Sequence, residues 1–320
     1  MHNNIFECLV IPSPSFSQHE TLVHEARTLA RRVVTNNKGT RFDEAELLAF
    51  INDAHADAVI AGTDPLSAKV IERLDNVKAV GKFGVGCDNI DIEALHRKGI
   101  HFGWEGGVNR RSVAELVLGF ILGHQRNIFR SIDRTQRSTW KKDGGFQLTG
   151  KTVGIIGFGF IGTDLASLLA PFKCNLVVHD ILDKSEQCLS FLARQIPYDD
   201  LLRSADIVTF HVPGGAVTRN MFGEGQIDLV RPSALVINTA RGSIVDFNAV
   251  SKAVQDGRIG AYASDVFPEE PLISSSFKIE DGFYFTPHIG GNADEAILAM
   301  GRSAIRGLKS FLASASANNK

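Results

Sequence analysis

The sequence is poor in cysteine, and the four it has, Cys8, Cys87, Cys174 and Cys188, form neither a C-x-x-C pair nor a disulfide framework. A dithiol redox centre and a stapled secreted fold are therefore not expected, and the thiols are expected to stay reduced in a cytoplasm. The ten histidines are scattered, without H-E-x-x-H or comparable ligand spacing, so no metal is expected. No apolar run reaches transmembrane length, and Met1-His2-Asn3-Asn4 lacks the basic and apolar regions of a signal peptide. Surplus charge is missing too: 34 Lys+Arg stand against 36 Asp+Glu, which argues against nucleic-acid and membrane-surface partners. There is no internal repeat and no low-complexity linker.

What remains has the composition of a globular enzyme. The chain has 320 residues, is 44% hydrophobic and has a mean hydropathy near zero, enough for about two domains with their own cores. The first hundred residues alternate short apolar runs, near 8–11, 58–60 and 77–81, with helical periodicity over 20–32, 43–54 and 67–74. Such alternation predicts a small parallel α/β domain. A short helix is predicted from 90, and Ser112-Val113-Ala114-Glu115 has the S-x-x-E form of a capping box, which makes Ser112 the predicted N-cap of a long apolar helix. That helix is apolar enough to be buried, against its own sheet or against a second subunit. From 151 the alternation resumes, with strands predicted at 152–156, 176–179, 207–211, 234–238, 261–264 and 283–286. A helix over 294–312 and a fraying polar tail over 313–320 close the chain.

The most informative stretch is Gly157-Phe158-Gly159-Phe160-Ile161-Gly162, which follows an apolar strand and opens a helix predicted over 163–172. Gly157 permits the tight turn, Gly159 lets backbone approach a pyrophosphate, and Gly162 lets the helix pack on the strand. The helix N-terminus offers free N–H groups and a partial positive charge to phosphates. Asp180 ends the next strand, about 20 residues on, where a carboxylate suits a ribose diol. The pattern predicts a dinucleotide site. No arginine stands beside Asp180 to accept a 2′-phosphate, so NAD is expected rather than NADP.

Arg241, Asp265 and His288 each follow a predicted strand directly, and Glu270 lies a few residues beyond one. In an open parallel sheet the ligand crevice lies outside the carboxyl ends of the strands, so these side chains can converge there. Hydride transfer to a 2-keto acid needs a guanidinium for the carboxylate, an acid for the developing alkoxide and a carboxylate to orient that acid. Arg241, His288 and Glu270 are suited to the three roles in turn.

Several stretches together resemble the D-isomer-specific 2-hydroxyacid dehydrogenase family, in particular its phosphoglycerate-dehydrogenase-like branch. They are Lys82-Phe83-Gly84-Val85-Gly86-Cys87-Asp88-Asn89-Ile90-Asp91, the Ser112 stretch, Ile237-Asn238-Thr239-Ala240-Arg241-Gly242, Asp265-Val266-Phe267-Pro268-Glu269-Glu270-Pro271 and Thr286-Pro287-His288-Ile289-Gly290-Gly291. They occur in the family's order and spacing from about Val80 onward. The resemblance implies an α/β chain in which a doubly wound parallel-sheet Rossmann nucleotide-binding domain, 101–287, is inserted into a smaller flavodoxin-like substrate domain, 1–100 plus 288–320. It implies a homodimer that uses the helix after Ser112. It implies Arg241, Glu270 and His288 as catalytic residues. Cofactor contacts are implied at Gly157, Gly159, Phe160, Ile161, Gly162, Asp180, His211, Val212, Pro213, Thr218, Thr239, Ala240, Asp265 and Gly290, with Asp265 on the nicotinamide carboxamide. Substrate contacts are implied at Lys82, Gly84, Val85 and Gly86 besides Arg241 and His288, with Lys82 reaching an anionic tail.

The implied activity is that of an NAD-dependent D-2-hydroxyacid dehydrogenase, on 3-phosphoglycerate or a related acid. Glyoxylate or hydroxypyruvate reduction is the nearest alternative, and an NAD(H)-sensing protein like the dehydrogenase-related corepressors is the alternative of another class. A formate enzyme would be expected to carry Gln in place of Glu270. Some positions depart from the family pattern. Phe160 stands where many relatives carry a polar or basic residue, and Gly214-Gly215 stand where the family often has Leu-Thr. The Ala61–Asp64 turn lacks the arginine that phosphoglycerate enzymes often use for phosphate. The chain is also shorter than phosphoglycerate dehydrogenases with C-terminal regulatory domains, so serine feedback of that kind is not expected.

Overall fold

The computed structural model describes residues 5–272 and 277–317. Met1–Asn4, on which the absence of a signal peptide was read, and the last three residues of the polar tail lie outside them. Two compact units divide the chain, Met1–Asn109 with Asp294–Lys320, and Arg110–Ala293.

In the first unit five parallel strands run β1 (Phe6–Ile11), β2 (Ala30–Thr35), β3 (Ala58–Ala61), β4 (Ala79–Lys82) and β5 (His101–Gly103). Their order is β2-β1-β3-β4-β5, the flavodoxin-like arrangement. One face is covered by Leu47, Ile51, Val70 and Leu95 from the intervening helices. The other face packs on Leu22 and Ala26 and on Met300, Ala304 and Leu308 of the C-terminal helix. That helix lies close because side chains are missing: a Cβ on Gly81 would stand 2.5 Å from the Ala304 carbonyl oxygen, and one on Gly103 would stand 2.3 Å from Gly307 Cα. The helix runs Asp294–Ala317, five residues past its predicted end.

Two predictions fail here. The helix expected over 20–32 stops at Arg27, and the chain turns into β2, parallel to β1. Arg31 and Arg32 are exposed on that edge, which hid the strand behind charge. Strand β5 was also missed, and its three residues pair with β4, so residues 101–103 belong to the first sheet.

In the second unit seven parallel strands run β6 (Thr152–Ile156), β7 (Asn175–His179), β8 (Arg194–Gln195), β9 (Ile207–Phe210), β10 (Leu235–Asn238), β11 (Ala261–Ser264) and β12 (Phe283–Phe285). Their order is β12-β11-β10-β9-β6-β7-β8, and β6, which carries the glycine loop, sits where the order reverses. Helices cover both faces, as a doubly wound sheet requires. Ala114, Val117, Phe120 and Ile121 of helix Arg110–Gln125 join Leu165 and Leu169 on one side. Leu201, Leu202, Val250 and Val254 cover the other.

The long helix therefore buries its apolar side on its own sheet. It begins at Arg110, not at a Ser112 cap. Ser112 Oγ instead donates to the Gly290 carbonyl at 2.6 Å and accepts from Ala293 N at 3.3 Å. The helix predicted over 163–172 begins earlier, at Phe160 with Gly159 as N-cap, and gives way at Ala170–Phe172 to a tighter turn containing Pro171, which has no N–H for a further α-helical bond. Among the described residues no helix is long and apolar enough to cross a membrane.

Candidate active site

The glycine loop after β6 is shaped by contacts only glycine allows. Gly157 has φ +91°, and a Cβ there would lie 2.6 Å from the His211 carbonyl oxygen and 3.0 Å from Val212 Cγ1. A Cβ on Gly162 would lie 2.2 Å from the Gly157 carbonyl oxygen, so the helix closes onto the turn, whereas Gly159 faces open space. Gly159 caps helix Phe160–Leu169 with no side-chain hydrogen bond, which leaves the first amides available to an anion. Phe160, 59% exposed, supplies no charge to a phosphate here. A concavity of about 570 Å³ beside the loop is lined by Phe158, Gly159, Phe160 and Lys184 among others. Arg111, beside Arg110, which lines the same concavity, pairs with Asp164 at 3.0 Å.

Asp180, at the end of β7, accepts from Phe158 N at 2.7 Å and from Leu182 N at 2.9 Å. Its carboxylate thus braces the glycine loop. After β9, His211 Nε2 meets Thr209 Oγ1 at 3.1 Å. Burial pushes the imidazole down to about 3, so it is neutral near pH 7. Thr218 Oγ1 donates to the Pro213 carbonyl at 2.7 Å and closes that loop. His211 Nδ1 and Thr239 Oγ1 are buried without a hydrogen-bond partner among the described residues. Orphaned polar atoms beside a glycine loop fit a polar ligand such as a dinucleotide.

Arg241, Glu270 and His288 follow β10, β11 and β12, three adjacent parallel strands, so all three leave the same end of the sheet. Asn238 braces the first turn: its Oδ1 accepts from Ala240 N at 3.1 Å and its Nδ2 donates to the Arg241 carbonyl at 2.9 Å. Gly242 lets that turn touch the next, since a Cβ there would lie 2.0 Å from the Phe267 carbonyl carbon. Glu270 Oε1 accepts from Phe267 N at 3.0 Å, and Oε2 meets His288 Nδ1 at 2.8 Å. A carboxylate can only accept, so Nδ1 carries a hydrogen and Nε2 is the atom left for chemistry. The His288 side chain is 53% exposed and that of Glu270 36%, which leaves the ring accessible to a substrate.

His288 has φ +56°, a left-handed conformation that costs a non-glycine residue about 1–2 kcal/mol. Asp265 holds it there. Buried to 1% exposure, it accepts from Thr286 Oγ1 at 2.6 Å, Ile289 N at 2.8 Å and Gly290 N at 2.7 Å. The carboxylate that the resemblance assigns to a cofactor carboxamide also builds the His288 turn. Thr286 and Asn238 were not singled out in the sequence, although both stand inside the quoted motifs.

The remaining expected residues lie in the first unit. Lys82 does not project outward. It is 2% exposed, and its Nζ donates to the Gly62 carbonyl and, at 3.2 Å, to Asn89 Oδ1. Asp64, buried nearby, accepts from Gly62 N at 3.1 Å, and burial raises its carboxyl above the usual range. Gly84 has φ +118°, and the Val85 carbonyl accepts from Trp104 Nε1 at 3.0 Å. Gly86 is half-buried in the same turn.

The family model described as "D-isomer specific 2-hydroxyacid dehydrogenase, NAD binding domain" matches residues 118–290. The chain is 35% identical over 283 residues to the D-3-phosphoglycerate dehydrogenase of Methanocaldococcus jannaschii, covering 88% of this chain and 54% of that protein. It thus spans about half the length of that relative. It is 33% identical over 259 residues to the glyoxylate reductase of Thermococcus litoralis, covering 78% of each. A glyoxylate reductase structure from Paecilomyes thermophila superimposes with a TM-score of 0.84 at 22% identity, covering 96% of this chain and 95% of that one, a likeness of fold.

Proposed function

Because the chain belongs to the D-isomer-specific 2-hydroxyacid dehydrogenase family, we propose that it is an NAD-dependent oxidoreductase interconverting a small 2-hydroxy acid and its 2-keto acid. The observation that carries this reading is the 2.8 Å contact between His288 Nδ1 and Glu270 Oε2, made by a half-exposed imidazole. Bound nicotinamide supplies or accepts the hydride. Arg241 holds the substrate carboxylate and polarises the neighbouring carbonyl through its fork of donors. His288 Nε2 gives its proton to the carbonyl oxygen as the alkoxide develops, and Glu270 stabilises the imidazolium before that transfer. In the oxidative direction neutral Nε2 takes the hydroxyl proton.

The dinucleotide is held by the amides of Gly159, Phe160, Ile161 and Gly162 at its pyrophosphate and by Asp180 at its ribose. His211, Val212, Pro213, Thr218, Thr239, Ala240 and Gly290 border it. The orphaned His211 Nδ1 and Thr239 Oγ1 support this placement. Relatives named for phosphoglycerate and for glyoxylate both stand near this chain. The test is therefore NADH oxidation against 2-keto acids with and without a phosphate or second carboxylate. Turnover of at least one is expected, and the tail preference names the substrate. Tight NADH binding with no turnover of any would overturn the enzyme reading in favour of an NAD(H)-sensing protein.

The chain is also proposed to act as a cytoplasmic homodimer. Exposure of Ile128, Ile132, Trp140 and Phe146, just beyond helix Arg110–Gln125, supports the dimer. Sedimentation at the mass of one chain would exclude it.

A further inference from the structure

The loop after β9 departs from the family pattern at Gly214, and the departure falls against Arg241. A Cβ built on Gly214 would lie 2.9 Å from Arg241 Cγ, 3.4 Å from its Cβ and 3.8 Å from its Cδ. The first distance is shorter than carbon atoms tolerate, and the atoms met belong to the near half of the stem, which cannot swing away as a free tip can. The backbone at the root of that stem is held too, since Asn238 donates to the Arg241 carbonyl at 2.9 Å, and at the far end of the side chain Arg241 Nη1 donates to the Ala240 carbonyl at 2.7 Å. The arginine stem therefore runs through the space that a side chain at 214 would fill.

We propose that Gly214 is a positioning residue for Arg241, setting where the guanidinium meets the substrate carboxylate. The inference rests on the reading of Arg241 as the carboxylate-binding group. A side chain at 214 displaces the stem at Cγ, and the bonds beyond it carry the displacement out to the guanidinium. A misplacement near 1 Å costs a positioned group about 100-fold in rate. Because the stem and not the cofactor loop is displaced, the loss falls on the 2-keto acid.

The test is a double-mutant cycle between Gly214→Ala and Arg241→Ala, read as kcat/KM for glyoxylate together with binding of oxamate and of NADH. Gly214→Ala is expected to lower kcat/KM about 10- to 100-fold, mainly through KM, and to weaken oxamate in step. NADH binding stays unchanged, which also reports that the loop has folded. In the Arg241→Ala background the same substitution is expected to add nothing. An equal loss in both backgrounds, or a loss of NADH affinity, would show a fault of the loop and overturn the inference. So would a Gly214→Ala enzyme that matches wild type while Arg241→Ala is crippled. Normal activity in Arg241→Ala alone would instead sink the reading of Arg241 on which the inference stands.

Discussion

At the carboxyl end of β4, in the first unit, a lysine, an aspartate and an asparagine turn toward one another and the backbone. Lys82 and Asn89 serve the Gly62 carbonyl, and Asp64 takes the Gly62 amide. At the carboxyl ends of β11 and β12, in the second unit, one aspartate also serves the backbone, because Asp265 builds the His288 turn. The next pair, Glu270 and His288, is held mainly by each other and left open to solvent. The two parallel sheets share a plan, yet polar groups at the first are used to close a turn and those at the second are presented by one. A charged residue at a strand end is a candidate for chemistry only after its hydrogen bonds are counted.

The largest effect should come from His288→Ala. It removes the proposed proton donor and is expected to lower kcat by about 100- to 10,000-fold, with NADH binding little changed. Near-normal turnover would break the comparison at its strongest point.

Lys82→Met probes the other side. If the ammonium is there to hold the turn, the change should cost about 1–3 kcal/mol of stability, measured by urea unfolding. KM for glyoxylate and for a phosphate-tailed 2-keto acid should then move together. A selective rise for the tailed acid would show that Lys82 reads the substrate and that the two units share the work.

Asp180→Ala should weaken NAD more than NADP, closing the gap in kcat/KM by about 10-fold, the worth of roughly 1.4 kcal/mol. Since the carboxylate also holds Phe158 N and Leu182 N, Asp180→Asn should keep more of the loop's order than alanine does. Equal use of both cofactors by wild type would refute the role.

The last effect is read in acid stability and leaves the chemistry untouched. Burial, with a lesser push from Arg130, lowers His124 from 6.5 to about 4. As pH falls below the unfolded value, the unfolded chain binds a proton that the folded imidazole refuses. Stability is therefore lost by up to about 1.4 kcal/mol per pH unit and levels off below the folded value. His124→Gln should make the urea midpoint less sensitive between about pH 6.5 and about pH 4. An unchanged slope would show that His124 is not a source of the acid sensitivity.

Much of this was legible in the chain. The central strands of both sheets are apolar runs because both of their faces are buried, and the glycine loop, Asp180, Arg241 and His288 stand just after strands, with Glu270 a few residues beyond one. The strands missed, β2, β5 and β8, all lie at sheet edges, where one side meets water and charges such as Arg31, Arg32 and Arg194 break the apolar pattern. Local pattern also misplaced Ser112. As a sequence it reads as a helix cap, but its hydroxyl is taken by a carbonyl 178 residues away.

Residue type and order by themselves determined the α/β class, the dinucleotide loop and which side chains leave the ends of which strands, because hydrophobic periodicity and glycine geometry are local. Only the tertiary structure decided that Lys82 turns inward, that Asp265 holds a left-handed histidine and that Gly214 makes room for an arginine stem. Each of those depends on atoms that distant strands bring together. No pattern along the chain records which of a polar group's possible partners it will meet.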